Sequence, residues 1–223
     1  NNMANSLSNS EGTRRSFIAN VSHELKTPMT TIAGFINGIL DGTIPKEQES
    51  KYLHIVSDEV KRLSRLVKSM LDLSRIDSGE MKLHPSRFDI TNTVVTTLLT
   101  FEQKIDEKQI EIRGLEEAAP QEVWGDQDLL HQVVYNLVNN AITYSGQDKT
   151  ITLRQAVEGG KVRVSVTDTG EGIPQDKLKD IWERYYKVDK EHKRAQMGSG
   201  LGLSIVKNIL DMHGGTYGVT STL

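Results

Sequence analysis

From position 53 the apolar residues fall at alternating steps of three and four: Leu53, Val56, Val60, Leu63, Val67 and Met70. This is the seam of a coiled coil or helical bundle, and a strand, with its period of two, cannot produce it. Upstream, Phe17, Val21, Leu25, Ile32, Phe35 and Ile39 are spaced for one face of a second helix. Asp41-Gly42-Thr43-Ile44-Pro45 separates the two, a glycine that stops one helix and a proline that suits the start of the next. The expectation is a helical hairpin. Two helices enclose no core, so the apolar stripe is expected to meet that of a second copy, giving a homodimeric four-helix bundle.

Asp77-Ser78-Gly79-Glu80 ends the second helix, and the texture then changes to short alternating runs with turn signals. Ile110 to Leu115, Thr150 to Arg154 and Val162 to Val166 alternate at period two, and Gly159-Gly160 joins the last two as a hairpin. Helical spacing returns over Ile90 to Ile105, Asp126 to Tyr144, Pro174 to Tyr186 and Leu201 to Met212. A hairpin among helices predicts an α/β sandwich with a mixed sheet and helices on one face. At 223 residues, 36% apolar and 26% charged, the chain has the composition of a soluble folded protein. It has no cysteine, which excludes a thiol nucleophile and thiolate metal sites. A net charge of −3 with intermixed signs gives no footprint for nucleic acid. No window approaches the roughly 18 consecutive apolar residues of a membrane span.

Ten of the 18 glycines lie beyond position 158, and nine of these cluster at Gly159-Gly160, Gly170 and Gly172, Gly198, Gly200 and Gly202, and Gly214-Gly215. Glycines two apart let a backbone approach a ligand closely, and Gly198 to Gly202 runs into a helix whose first N–H groups suit an anion such as phosphate. A single such pair is weak evidence, because most serve only a turn. Here an amide pair accompanies two of them. Asn136 and Asn140 share a helix face, while Leu130, Val134, Leu137 and Ala141 form the apolar stripe of the same helix. Amide oxygens are hard neutral ligands that suit Mg²⁺ when phosphate oxygens and waters complete its shell.

Five segments together resemble one family, the two-component sensor histidine kinases, whose ATP domain shares its fold with gyrase and Hsp90. Phe17 to Pro28, reading FIANVSHELKTP, is similar to the family's H box, and Asn136 to Ala141 to its N box. Asp168 to Gly172 resembles the first glycine box, Ile181 to Tyr186 the F box, and Gly198 to Leu203 the second glycine box. All five stand in family order and span nearly the whole chain.

The resemblance implies a protein histidine kinase that uses ATP and Mg²⁺. His23 is then the phosphoacceptor, a neutral ring nitrogen that attacks the γ-phosphate, and Glu24 holds or accepts the proton on the other nitrogen. Pro28 removes a helical hydrogen bond and is expected to bend the helix beside His23. Thr27, one turn on, is implied to position water for dephosphorylating a response regulator, although the same hydroxyl can bond backwards within the helix. In the ATP domain the resemblance assigns Asp168 to the adenine amino group and Asn140 to Mg²⁺, with Asn136 close by. Tyr144 and Tyr186 flank the nucleotide, Lys187 contacts phosphate, and Gly170, Gly172, Gly198, Gly200, Leu201 and Gly202 line its path. Val188 to Ser199 resembles the lid over ATP, where Lys190, Lys193 and Arg194 are candidates for phosphate contact. The remaining histidines, at 54, 84, 131, 192 and 213, receive no role. Thr143 stands where the family often has a basic residue and Lys187 where it often has arginine, so phosphate contacts are expected to differ.

The expected organisation is the tail of an upstream HAMP-like signalling helix over 1–12, a dimerisation and phosphotransfer domain over 13–78, and an ATP-binding catalytic domain over 79–223 that lacks the family's final strand. The partners implied are a second copy, the receiver domain of a response regulator and ATP. Nucleic acid is not among them, and a membrane enters only through upstream segments, the chain itself being cytoplasmic. Two rival readings are an ATPase clamp or chaperone of the same nucleotide fold, and a non-catalytic dimeric signalling scaffold.

Overall fold

The computed structural model describes residues 2–116, 118–146, 148–188 and 200–223, with side chains from Val21 onward. The chain divides into two compact units, Asn1–Ser78 and Gly79–Leu223.

The first unit is a helical hairpin of α1 (Asn2–Leu40) and α2 (Lys46–Asp77). Gly42 takes φ +75, the left-handed turn that ends α1, and the Asp41 carboxylate accepts the Thr43 N–H at 2.9 Å. Gly38 lets the loop fold back, since a Cβ there would lie 3.1 Å from the Ile44 side chain. The Phe35 and Tyr52 rings, 4.9 Å apart, pin the antiparallel register. Of the α2 seam, Val56, Leu63 and Met70 are half-buried. Leu53, Val60 and Val67, spaced one heptad apart, remain 46%, 46% and 42% exposed. The hairpin therefore buries one edge of its seam and leaves the other uncovered.

In the second unit, β1 (Ser86–Asp89) pairs antiparallel with β3 (Glu122–Gly125). A separate three-stranded sheet has the order β2 (Glu111–Arg113), β4 (Thr150–Glu158), β5 (Lys161–Asp168). The β2–β4 pair is parallel and the β4–β5 pair antiparallel, so the sheet is mixed as expected. Gly159 and Gly160, at φ 56 and 75, form the tight hairpin turn between β4 and β5. The helices are α3 (Ile90–Leu99), α4 (Glu102–Lys108), α5 (Gln127–Tyr144) and α6 (Gly202–Met212). Val134, Val138, Ala141 and Ile142 of α5 pack with Val94 of α3 and with Ile151 and Leu153 of β4 in the core. Its stripe thus faces the core, and its polar residues line the remaining surface.

Two expectations are corrected, and two strands went unforeseen. The helix foreseen over Ile90 to Ile105 is two helices, because Phe101 leaves helical geometry (φ −107, ψ 3), is only 2% exposed and lies 4.8 Å from the Tyr135 ring. The helix foreseen over Pro174 to Tyr186 is a series of turns with a short 3-10 helix at Asp180–Trp182. Tyr185 there takes φ 60 and its N–H bonds the Gly200 carbonyl at 2.8 Å, so a tertiary contact overrides the helical spacing. The strands β1 and β3 had no sequence signal, being four residues each and without clear alternation.

Asp126 sets the start of α5. It caps the helix by accepting the Leu129 N–H at 3.2 Å, and its other oxygen accepts the His84 N–H at 2.9 Å. The Asp126 N–H donates to His213 Nε2 at 3.0 Å, which fixes His213 as the tautomer whose Nδ1–H serves Ile209 O at 2.7 Å. Burial opposes ionisation of Asp126, but the N–H groups of His84 and Leu129 that it accepts outweigh it and hold the carboxyl below its ordinary range. Asp126→Ala is expected to cost about 1–2 kcal/mol at pH 7. A depressed folded-state pKa means that the carboxylate's contribution is fully present above about pH 4 and disappears as pH falls through the lower folded value. Both tryptophans, Trp124 and Trp182, lie in this unit, so urea unfolding read by their fluorescence isolates it. The stability deficit of the variant should shrink from pH 7 to pH 3, and a deficit unchanged in acid would contradict the charge-based account.

Candidate functional site

In the first unit His23 is exposed on α1, with Glu24 half-buried beside it. The Thr27 hydroxyl donates to the His23 carbonyl at 3.2 Å, and Thr31 repeats the pattern onto Thr27. The backward bond that the sequence left open is therefore made. Pro28 lies inside α1 and is fully buried, and lacking an N–H it removes one rung of the helical ladder within five residues of His23. An exposed imidazole on a helix interrupted in this way can meet a large substrate.

In the second unit the polar face of α5 organises the candidate residues. Asn136 Nδ2 donates to the Gln132 carbonyl at 2.9 Å, which orients its Oδ1 away from the helix. A Cβ placed on Gly202 would lie 3.3 Å from Asn136 Oδ1 and 3.8 Å from Asn140 Oδ1. Both amide oxygens thus converge on the N-terminal end of α6, where Leu201 supplies no side-chain cap and the first-turn N–H groups have no partner within the helix. Gly200, at φ +68, seats its backbone so closely that a Cβ would come 2.7 Å from Tyr185 Cα and 3.1 Å from the Tyr186 carbonyl oxygen. Tyr186 and Lys187, both half-buried, are thereby brought to the same end of α6. Asn136, Asn140, Gly200, Leu201 and Gly202 thus come together beside the Tyr186 backbone, with Lys187 next to it in the chain. Gly198 and the segment from 189 to 199, including Lys190, Lys193 and Arg194, lie outside the described residues.

A second cluster sits at the C-terminal end of α5, one turn beyond Asn140. Asp168 Oδ1 accepts the Gly170 N–H at 2.8 Å, closing a tight turn at the end of β5. A side chain on Gly170 would strike the Tyr144 carbonyl, and one on Gly146 would strike the Thr169 carbonyl. Tyr144 is 41% exposed, and burial of its hydroxyl raises its pKa, keeping it neutral at physiological pH. Gly172, at φ +74, lies against the Thr222 carbonyl, and Ser221 accepts the Ile173 N–H at 2.8 Å and the Gln175 side-chain amide at 2.6 Å. The strand end, the end of α5 and the last residues of the chain are locked together around Asp168.

Two contacts had no reading in the sequence. His213 was set aside with the other histidines, yet it braces Asp126 at the start of α5. Lys108 donates to the Ile142 carbonyl at 2.6 Å at the far end of that helix. Neither belongs to a spaced motif, and each becomes visible only when distant segments meet. Gly146 did carry a signal, a glycine directly after a helix.

Two hard amide oxygens of α5 thus face a helix N-terminus of the kind that suits an anion, and at the C-terminal end of α5 lies a carboxylate, which can accept a hydrogen bond. A nucleotide with a heterocyclic amino group and a phosphate tail has that polarity.

The family model described as histidine kinase-, DNA gyrase B-, and HSP90-like ATPase matches residues 125–223, and the His Kinase A (phospho-acceptor) domain matches residues 13–79. The chain is 38% identical over 213 residues to the sensor histidine kinase YclK of Bacillus subtilis (strain 168), covering 95% of this chain and 44% of that protein. It spans about half or less of the length of the curated relatives it matches. The structure of the Acinetobacter baumannii histidine kinase AdeS superposes with a TM-score of 0.69 at 26% identity, covering 85% of this chain and 86% of that one. The catalytic domain of histidine kinase ThkA is 30% identical, with a TM-score of 0.51 over 61% of this chain and 86% of that domain. ThkA in complex with response regulator protein TrrA gives a TM-score of 0.62 at 29% identity, covering 77% of this chain and 50% of that one.

The glycines differ in what they tolerate. Gly172→Ala meets backbone at a positive φ and should cost about 1–3 kcal/mol in unfolding of the second unit. Gly202→Ala meets side-chain tips rather than backbone, Asn136 Oδ1 at 3.3 Å and Asn140 Oδ1 at 3.8 Å, so it should leave the tryptophan melting transition nearly unchanged while weakening binding of ATP. Thermal melts and titrations with ATP on both variants check the contrast, and equal thermal losses would contradict it.

Proposed function

The chain belongs to the two-component sensor histidine kinases, and from that premise we propose that it autophosphorylates His23 with ATP and then passes the phosphoryl group to an aspartate of a response regulator. The observation that carries this reading is the convergence of the Asn136 and Asn140 oxygens on the N-terminal end of α6, from a helix whose C-terminal end, one turn beyond Asn140, abuts the Asp168 turn. Residues 79–223 bind ATP in this reading and residues 13–78 hold the phosphoacceptor, with 1–12 as the end of an upstream signalling helix.

In the first step a neutral ring nitrogen of His23 attacks the γ-phosphorus, the bond from that phosphorus to the β-bridging oxygen breaks, and ADP leaves. Glu24 holds or takes the proton on the other ring nitrogen and offsets the charge that develops on the ring. Asp168 accepts from the adenine amino group, and Tyr144 and Tyr186 flank the nucleotide. Lys187, the first-turn N–H groups of α6 and the backbone at Gly170, Gly172, Gly198, Gly200, Leu201 and Gly202 border the base and phosphates. Asn140, with Asn136 beside it, supplies an oxygen of the kind Mg²⁺ takes, and the ion when bound neutralises phosphate charge. Most of the rate enhancement comes from holding the reacting groups in line. In the second step the phosphorus–nitrogen bond breaks as a carboxylate of the regulator takes the group. The ThkA–TrrA complex supports a receiver domain as partner. Thr27 positions water for the reverse task, hydrolysis of the phosphorylated regulator, by rotating its hydroxyl out of the bond to the His23 carbonyl.

A second copy of the chain covers Leu53, Val60 and Val67, the uncovered heptad edge of α2. The full protein is a longer sensor of which this chain is the cytoplasmic catalytic core, attached to the membrane through upstream segments. Relatives about twice its length support this, and no described helix is long and apolar enough to cross a membrane.

Incubation with γ-labelled ATP and Mg²⁺ should give an acid-labile phosphoprotein that His23→Ala abolishes. Label that is acid-stable or that persists in the variant refutes the assignment. Thr27→Ala should retain labelling while slowing dephosphorylation of a phosphorylated regulator by ~10-fold or more, and an unchanged rate would remove Thr27 from the mechanism. Val60→Glu places a charge on the uncovered seam and should turn a dimer into a monomer by light scattering, whereas a monomeric wild-type chain would overturn the bundle.

A further inference from the structure

Lys108 is the last residue of α4, and Gln109 after it turns the chain away with a left-handed φ of 55. The Lys108 stem is exposed, but its ammonium reaches across 34 positions of sequence to donate to the Ile142 carbonyl at 2.6 Å. Ile142 lies in the last turn of α5, where carbonyls lack helical donors and carry the negative end of the helix dipole. The same oxygen accepts the Ser145 hydroxyl at 3.1 Å. A cation from a neighbouring helix and a hydroxyl from the turn itself thus fix one carbonyl at the C-terminal end of α5.

We propose that Lys108 is a positioning residue for the nucleotide base: by clamping the last turn of α5 it fixes the Tyr144 carbonyl, and through it the direction of the Asp168 carboxylate. Each link is a described contact. Tyr144 follows Ile142 by two residues, and its carbonyl packs against Gly170 so closely that no side chain fits between them. Gly170 donates its N–H to Asp168 Oδ1 at 2.8 Å, so a shift of Gly170 turns the carboxylate. Gly146 seated on the Thr169 carbonyl gives a second contact between the same two segments. Lys108 touches neither base nor phosphate in this account and acts only through α5. The inference rests on reading Asp168 as the adenine contact.

The test uses the full 223-residue chain and compares binding of ATP with that of inosine triphosphate, which keeps the phosphates and lacks the amino group that Asp168 reads. Lys108→Met keeps the length of the stem and removes the donor, and Lys108→Arg restores a cation. Lys108→Met should weaken ATP by roughly 5- to 10-fold and inosine triphosphate by less than about 2-fold, so that selectivity narrows. Lys108→Arg should recover most of that preference, with the nucleotide-free tryptophan melt little changed in both variants. Equal weakening of both nucleotides, or a variant with wild-type affinity and selectivity, overturns the proposal. A wild-type chain that binds ATP without preferring it over inosine triphosphate overturns the Asp168 assignment, and the inference falls with it. A wild-type preference that Lys108→Met leaves intact overturns Lys108 alone.

Discussion

The second unit depends on how closely two stretches of backbone approach at the end of α5. The Tyr144 carbonyl lies where a side chain of Gly170 would be, and the Thr169 carbonyl lies where a side chain of Gly146 would be. Such interlocked contact leaves little freedom for a hinge or slide between the helix end and the strand end. The Asp168 turn therefore inherits its position from α5, whose apolar stripe is fixed by Val134, Val138 and Ala141 in the core. At the other end Asp126 and His213 hold the start of the same helix. One helix, secured at both ends and along one face, carries Asn136 and Asn140 and sets the neighbours of Asp168. The spacing between the two poles of the site is then a property of the helix itself, at about 1.5 Å per residue, rather than of any loop.

The first unit is built on the opposite principle. Its hairpin is regular, yet among the described residues of α2 only Leu66 and Leu73 are buried. A seam half covered in one chain is stable only when something else covers the remainder. His23 and Thr27, by contrast, face solvent, where a catalytic domain and a regulator would each need to reach them. In the proposed function the apolar edge and the His23 edge of the hairpin serve different partners.

Legibility of this structure in its sequence followed the range of the interactions. The α2 seam, the Gly42–Pro45 break and the Gly159-Gly160 hairpin are local, and the residues that make them are neighbours in the chain. The span of α5 was readable because Asp126, its cap, immediately precedes its apolar stripe. Periodicity failed where a distant contact decided the outcome. Phe101 gave up its place in a helix to enter the core beside Tyr135, and Tyr185 adopted a left-handed backbone to meet Gly200. Both lie in stretches whose spacing alone favours a helix, so no local reading separates them from one. Lys108 and His213 were silent for the same reason, their partners being 34 and 87 positions away.

The glycine boxes show why motif recognition succeeded where periodicity did not. Glycines at 170, 172 and 200 are each required by a protein contact: the Tyr144 carbonyl, the Thr222 carbonyl and the backbone of Tyr185. Their first role is to let segments distant in sequence touch, and openness toward a ligand follows from where those segments meet. A motif of this kind records tertiary contacts in linear form, which is information that spacing and propensity lack. It also divides the evidence for the fold from the evidence for the chemistry. Intact glycines testify that the site is assembled, whereas the proposed action rests on a few side chains, the amides of α5, the carboxylate of Asp168 and, in the hairpin, the imidazole of His23.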